Sequence, residues 1–175
     1  MKRFTAVFTL FLAVTVVVWA QEADQPLKRA KVGDYVIFKM EGPVKGTMKQ
    51  EVTAVSEKEV TVKTITTING MELKPSEQTI DLTKKADPSV EEKNKKKFRI
   101  VETGKGQETL RIGGKDYKCD WRSMTTTVTQ NGMDIVTEAK VWISKDAPVY
   151  GMVKTENKTF GMLTVTELIE AGKKK

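Results

Sequence analysis

Histidine is absent from all 175 residues, and cysteine occurs once, as Cys119. The first absence removes Ser-His-Asp and Cys-His catalysis and every imidazole metal site. The second removes an intramolecular disulfide and the clustered thiolates that zinc requires. A calcium loop needs oxygen ligands at close alternating positions, and the nearest candidate, "NGMDIVTE", has too few carboxylates. Acidic residues number 23, yet no two of them stand out by spacing as a general acid and base. The expectation is a protein without catalytic activity, metal or cofactor.

Long apolar runs are equally scarce, with one exception at the start. "MKRFTAVFTLFLAVTVVVWA" has Lys2 and Arg3 before an uncharged run from Phe4 to Trp19. Val18 and Ala20 supply the small residues before a cleavage point, which leaves Gln21 as the new N-terminus. This is the pattern of a secretory signal peptide, and the run is shorter than the roughly 20 apolar residues that span a bilayer. A soluble, secreted or periplasmic protein with no integral membrane span is expected after cleavage.

Charge of one sign is not concentrated on a face. Loss of Lys2 and Arg3 with the signal leaves 28 basic against 23 acidic side chains, a balance of +5. Much of the excess sits in "KNKKK" (93–97) and the terminal "KKK" (173–175), while elsewhere both signs alternate along the chain. A nucleic-acid binder gathers Lys and Arg on one surface with aromatics interleaved, and no such stripe is present.

What the sequence does have is a period of two. After a polar entry segment (21–32), turn signals recur every eight to twelve residues through 33–172, the pattern of one antiparallel β domain. The strands predicted are "DYVIFKMEG", "GTMKQEVTAV", "VTVKTITTI" and "MELKPSEQTIDL", then "FRIVETG", "QETLRIG", "KDYKCDWRSMTTTVTQ", "MDIVTEAKVWIS", "VYGMVKTEN" and "FGMLTVTELIEAG". Asn69-Gly70 and Asn131-Gly132 are two-residue hairpin signals, because both central residues of a type I′ turn need positive φ. Pro75 marks an edge strand or a break. Between the two groups of strands, "ADPSVEEKNKKK" (86–97) reads as a short exposed helix capped by Asp87 and Pro88, or as a charged loop. The fold class expected is mainly β: a curved antiparallel meander, half-barrel or open barrel, of about nine or ten strands with at most one short helix.

The hairpin turn at Asn131-Gly132 makes a sharper statement. A two-residue loop pairs Gln130 with Met133 and so places Trp121 opposite Trp142 and Cys119 opposite Ser144. Tyr117, Cys119 and Trp121 alternate with charged residues and share one face. Met124 faces Ala139 and Val128 faces Ile135, on the reverse side. Either a bulge near Ser123 or Met124 shifts the register, or the hairpin is covered on different faces at its tip and its base. Tyr117, Trp121 and Trp142 are the candidate ligand-binding residues; the alternative is that they only pack the sheet. Cys119, on the apolar parity, reads as a buried structural thiol. Asn157-Lys158-Thr159 is a glycosylation sequon that marks an exposed turn.

"ETLRIGGKDYKC", followed by a long hairpin and "AKVWISKDAPVYGMVK", resembles a broad group of small secreted bacterial proteins of unknown function. In these a Gly-Lys-x-Tyr/Phe-x-Cys element precedes a Val-Trp-x-Ser-x-x-x-Pro corner with a following Gly. Their architecture is similar to the lipoprotein-localisation-factor (LolA/LolB-like) fold, a curved antiparallel half-barrel with an apolar concave side. The resemblance covers roughly residues 105–170. It implies that fold, and in the lipoprotein carriers the concave face closes over acyl chains. Two functions are therefore expected from different classes. One is a non-enzymatic domain binding an apolar small molecule or an envelope protein through its concave face. The other is an envelope-associated protein assembling through sheet edges and lysine tails.

Overall fold

The computed structural model describes residues 26–83, 98–130 and 132–174; the signal peptide and the expected helix or loop at 86–97 lie outside them. Ten antiparallel strands form one open, curled sheet: β1 (Asp34–Glu41), β2 (Gly46–Val55), β3 (Glu59–Ile68), β4 (Met71–Glu72), β5 (Ser76–Asp81), β6 (Phe98–Ile112), β7 (Lys115–Gln130), β8 (Met133–Ile143), β9 (Met152–Thr159) and β10 (Met162–Lys173). The order across the sheet is β4-β3-β2-β1-β10-β9-β8-β7-β6, with β5 also pairing β3. Two meanders are thus joined by pairing of the first and last strands, Asp34 opposite Lys173 and Glu41 opposite Val165.

Turn chemistry sets the hairpins as the sequence predicts. Asn69 and Gly70 have φ of 49° and 81°, and Ile68 lies opposite Met71. Gln130 lies opposite Met133, and the pairing runs without a slip from there to Trp121 opposite Trp142 and Asp120 opposite Ile143. Pro75 falls in the break between β4 and β5, both outside β3 at the sheet's edge. A further two-residue turn joins β9 to β10, with Phe160 and Gly161 at φ 52° and 76°.

Two strand assignments need correction. "FRIVETG" and "QETLRIG" are one strand, β6, interrupted only by a register shift between Glu102 and Gly104. The glycines there do not end the strand. They make room for a ring: a Cβ on Gly106 would lie 2.8 Å from Trp121 Cζ2. Conversely, "VYGMVK" does not enter the sheet until Met152, because Val149 and Gly151 adopt φ of 61° and 73° and turn the chain away from an extended path.

The main core gathers Val36 and Phe38 from β1, Val52, Val60 and Val62 from β2 and β3, Leu168 from β10, and Tyr117, Cys119 and Trp142 from β7 and β8. The corner after β8 adds Ala147 and Val149. Pro26–Arg29, within the expected entry segment, forms a 3-10 turn that inserts Leu27 into this core.

Candidate functional site

The three sequence-predicted residues are brought to the base of the β7–β8 hairpin, but not around one cavity. Trp121 and Trp142 are directly opposite each other, as expected from the turn. Lys140 lies over both rings, its Nζ 4.2 Å from the Trp121 centroid and 4.3 Å from that of Trp142. Trp142 is 3 % exposed, and its indole N–H donates to the Glu108 carboxylate on β6. The back of the Trp121 ring rests on Gly104 and Gly106. A cation, a carboxylate and bare backbone thus contact the pair, with Trp142 buried and Trp121 part-exposed.

Tyr117 is buried two positions further along the same face of β7, and it borders a cleft. A cleft of about 360 Å³ lies between the 3-10 turn, the start of β7 and the corner Lys145–Val149. Its lining mixes Pro26, Ala30 and Pro148 with Arg29, Lys115, Lys145, Asp34 and Asp146. Lys115 Nζ stands 4.7 Å from the Tyr117 ring centroid and donates to the Asp146 carbonyl at 3.3 Å. Burial raises the Tyr117 pKa, and Asp146 adds to the rise. Cys119 is buried as expected, its thiol donates to the Tyr117 carbonyl at 3.4 Å, and burial pushes its pKa up to about 11. A thiolate nucleophile is not available there near neutral pH.

The more distinctive surface is on the other parity, toward the hairpin tip. Met124, Ala139 and Val141 pack together with Ile143. The rows across the sheet are Arg122–Val141–Thr155–Thr166–Met40, Met124–Ala139–Asn157–Thr164 and Thr126–Thr137–Thr159–Met162. Directly paired residues share a face. Thr126, Thr137, Thr155, Thr164 and Thr166 are all buried, whereas Glu138, Lys158 and Leu163, which alternate with them, are exposed. This is the inward face of the tip half. No bulge interrupts β7–β8, so the hairpin is covered on one face at its base and on the other at its tip.

Sequence reasoning missed how polar this inward face is. Thr137 and Thr159 share a hydrogen bond of 2.9 Å, but the hydroxyls of Thr126 and Thr166 have no partner. The side-chain oxygen of Gln50, on β2 opposite Val36, is a third such atom on the same face. Threonine in strands is so common that its count alone gives no signal; the register was needed to line the hydroxyls up. Asn157 also belongs here, part-buried between Ala139 and Thr164 in mid-strand, so the sequon does not mark an exposed turn. Among the described residues no group of three or more Cys, Asp or Glu side chains is placed to hold a metal ion, and no helix is long and apolar enough to cross a membrane.

No protein-family model and no curated protein matches the chain. Among solved structures, a candidate exported protein with a YmcC-like fold from Bacteroides fragilis superposes with a TM-score of 0.57 at 10% identity, over 82% of this chain and 97% of its own. A candidate lipoprotein from Parabacteroides distasonis gives 0.52 at 13% identity, over 81% and 96%. The likeness at these identities is one of fold, and the architecture that this chain shares is the YmcC-like curled antiparallel sheet.

Proposed function

We propose that the protein is an exported, non-enzymatic binding domain whose ligand lies on the inward face of β7–β10. The leader-like N-terminus and the fold shared with proteins described as exported or as lipoproteins support the compartment. One observation carries the site: two hydroxyls, on Thr126 and Thr166, are buried without partners beside Met124, Ala139 and Val141. An unpaired buried polar group costs about 1–3 kcal/mol, so a surface that keeps two of them is explained by something that pairs with them. Short apolar side chains interleaved with hydroxyls suit an acyl chain that carries an ester or amide group. In this reading Trp121 and Trp142 hold the hairpin's shape and do not touch ligand.

The test is displacement of an environment-sensitive acyl dye by oleate and by a diacylated lipopeptide. Thr166→Val should weaken ligand binding while stabilising the free protein, since it deletes an unpaired hydroxyl at constant shape. Ala139→Phe, which fills the face, should abolish binding. Failure of both ligands to displace the dye, or of the dye to bind, sinks the proposal. A second reading, assembly through a sheet edge, draws on β6: it ends the sheet, runs for 15 residues and exposes Ile100 and Val101. Concentration-dependent self-association would favour it.

A further inference from the structure

The two edges of the sheet are protected unequally. At one edge lie β4, of two residues, and β5, of six, with Pro75 in the break between them. Edges so short and interrupted offer little to another strand. The other edge is β6, which runs for 15 residues without proline, and among the described residues no strand pairs its outer side. A long edge with a row of unpaired amides and carbonyls is a template for a further strand.

Two properties of β6 select what that strand is. The first is charge. Arg99, Glu102, Lys105, Glu108 and Arg111 follow at intervals of three with alternating sign, and all are exposed. The second is the register shift. Thr103 has no partner on β7, since Glu102 lies opposite Met124 and Gly104 opposite Ser123. Odd-numbered residues before the shift therefore share a face with even-numbered residues after it. Arg99, opposite Thr127, lies on the face of Glu108, opposite Cys119; Glu102, opposite Met124, lies on the face of Lys105, opposite Arg122.

A regular strand laid along β6 would match faces on one side of the shift and mismatch them on the other. A second copy of β6, reversed about a dyad at Thr103 and Gly104, brings its own shift to the same place. Arg99 then stands opposite Glu108 of the second copy and Glu102 opposite Lys105 of the second copy. Each pair shares a face, and each occurs twice by symmetry. A slip of two residues either way leaves none of Arg99, Glu102 and Lys105 opposite a charge. Within one chain Lys105 lies directly across from Arg122, an unfavourable like-charge pair, and the second copy's Glu102 would put a carboxylate on its other side.

We propose that β6 pairs with β6 of a second copy, antiparallel and in this register, so that two sheets join across a two-fold axis. The proposal rests on the edge reading given above, to which it adds the occupant and the register, and it is independent of any ligand. The ladder would run from Phe98 to Thr109 of each copy, about 40 Å. Growth stops at two, because the contact uses the long edge of both copies and leaves only the short ones outside.

The test follows the full-length chain by sedimentation equilibrium and light scattering. The native chain should form dimers and nothing larger, weakened by salt. Glu102→Lys should raise the dimer dissociation constant about tenfold or more, since two cross-strand pairs turn from opposite to like charge. Lys105→Glu should do the same, and the two changes together should restore the dimer. Restoration separates a broken contact from a broken fold. A chain that stays monomeric at every concentration sinks both this proposal and the edge reading. Dimers indifferent to the single changes, or not restored by the double one, overturn the proposed register while the edge reading survives. Assemblies larger than two overturn the closed dimer.

Discussion

Replacing Gly106 by alanine tests whether the tryptophan pair is a close-packed element of the sheet. The added Cβ would lie 2.8 Å from Cε2 and Cζ2 of Trp121 and 2.9 Å from its Nε1. Carbon atoms prefer separations of about 3.5–4.0 Å, so the ring must move by about 0.7 Å or more. It has little room: Gly104 backs it on the same strand, and Lys140 Nζ covers its outer face at 4.2 Å. Overpacking of this kind costs about 1–3 kcal/mol. The lower entropy of an unfolded chain with alanine offsets about 0.4–1 kcal/mol of that. The net expectation is a loss of about 1–2 kcal/mol, a fall in Tm of about 3–6 °C for a domain of this size. Urea denaturation followed by tryptophan fluorescence and near-ultraviolet circular dichroism reads both stability and ring geometry. In a Trp121→Ala background the same glycine change should be neutral or mildly stabilising. Equal losses in the two backgrounds, or no loss in the native one, would refute the packing account.

Two further outcomes follow from the same region. Trp142→Phe keeps a ring in the core but removes the donor to Glu108, and should cost about 0.5–1.5 kcal/mol in chemical denaturation, because Glu108 is exposed and can turn to water. Cys119 and Tyr150 have pKa values raised by burial, to about 11 and about 12. Their protonated forms favour the folded state, so that stability is full below the unfolded-state values and declines as pH rises toward 11–12. Cys119→Ala should shrink the decline between pH 9 and 11, as measured by urea midpoints; an unchanged slope would remove the thiol from the account.

Where local chemistry decides structure, the fold was readable from sequence. Two asparagine-glycine turns and a period of two are local, and they specified two hairpins: a short one of two residue pairs at Asn69-Gly70, and a long one whose register holds from Gln130–Met133 down to the Trp121–Trp142 pair. Pro75 acted as a breaker for an equally local reason, its missing N–H. The errors arose where a residue answers to a distant partner. Gly104 and Gly106 look like a break until Trp121 is laid across them. Phe160 has no propensity for a turn, and only the pairing of Thr159 with Met162 shows that it makes one. Nothing local announces that β1 pairs β10, the contact that converts two meanders into one sheet.

The candidate site divides along the same line. Alternation correctly separated the Tyr117 parity from the Met124 parity, but it could not say which was inward, and the structure answers that both are, at different heights. A strand of 16 residues accumulates a large right-handed twist, so one face need not stay inward along its whole length. Near the base the inward side carries rings and aliphatics that satisfy one another. Near the tip it carries Thr126, Thr137, Thr155, Thr164 and Thr166, side chains whose hydroxyls ask for partners that the sheet only partly supplies. Packing therefore closes the half that holds the tryptophans, and leaves unmet hydrogen-bonding capacity in the half that holds the threonines. The residues that attract the eye in the sequence are aromatic and join the main core, whereas the unpaired hydroxyls belong to small, common side chains whose alignment is visible only once the strands are paired.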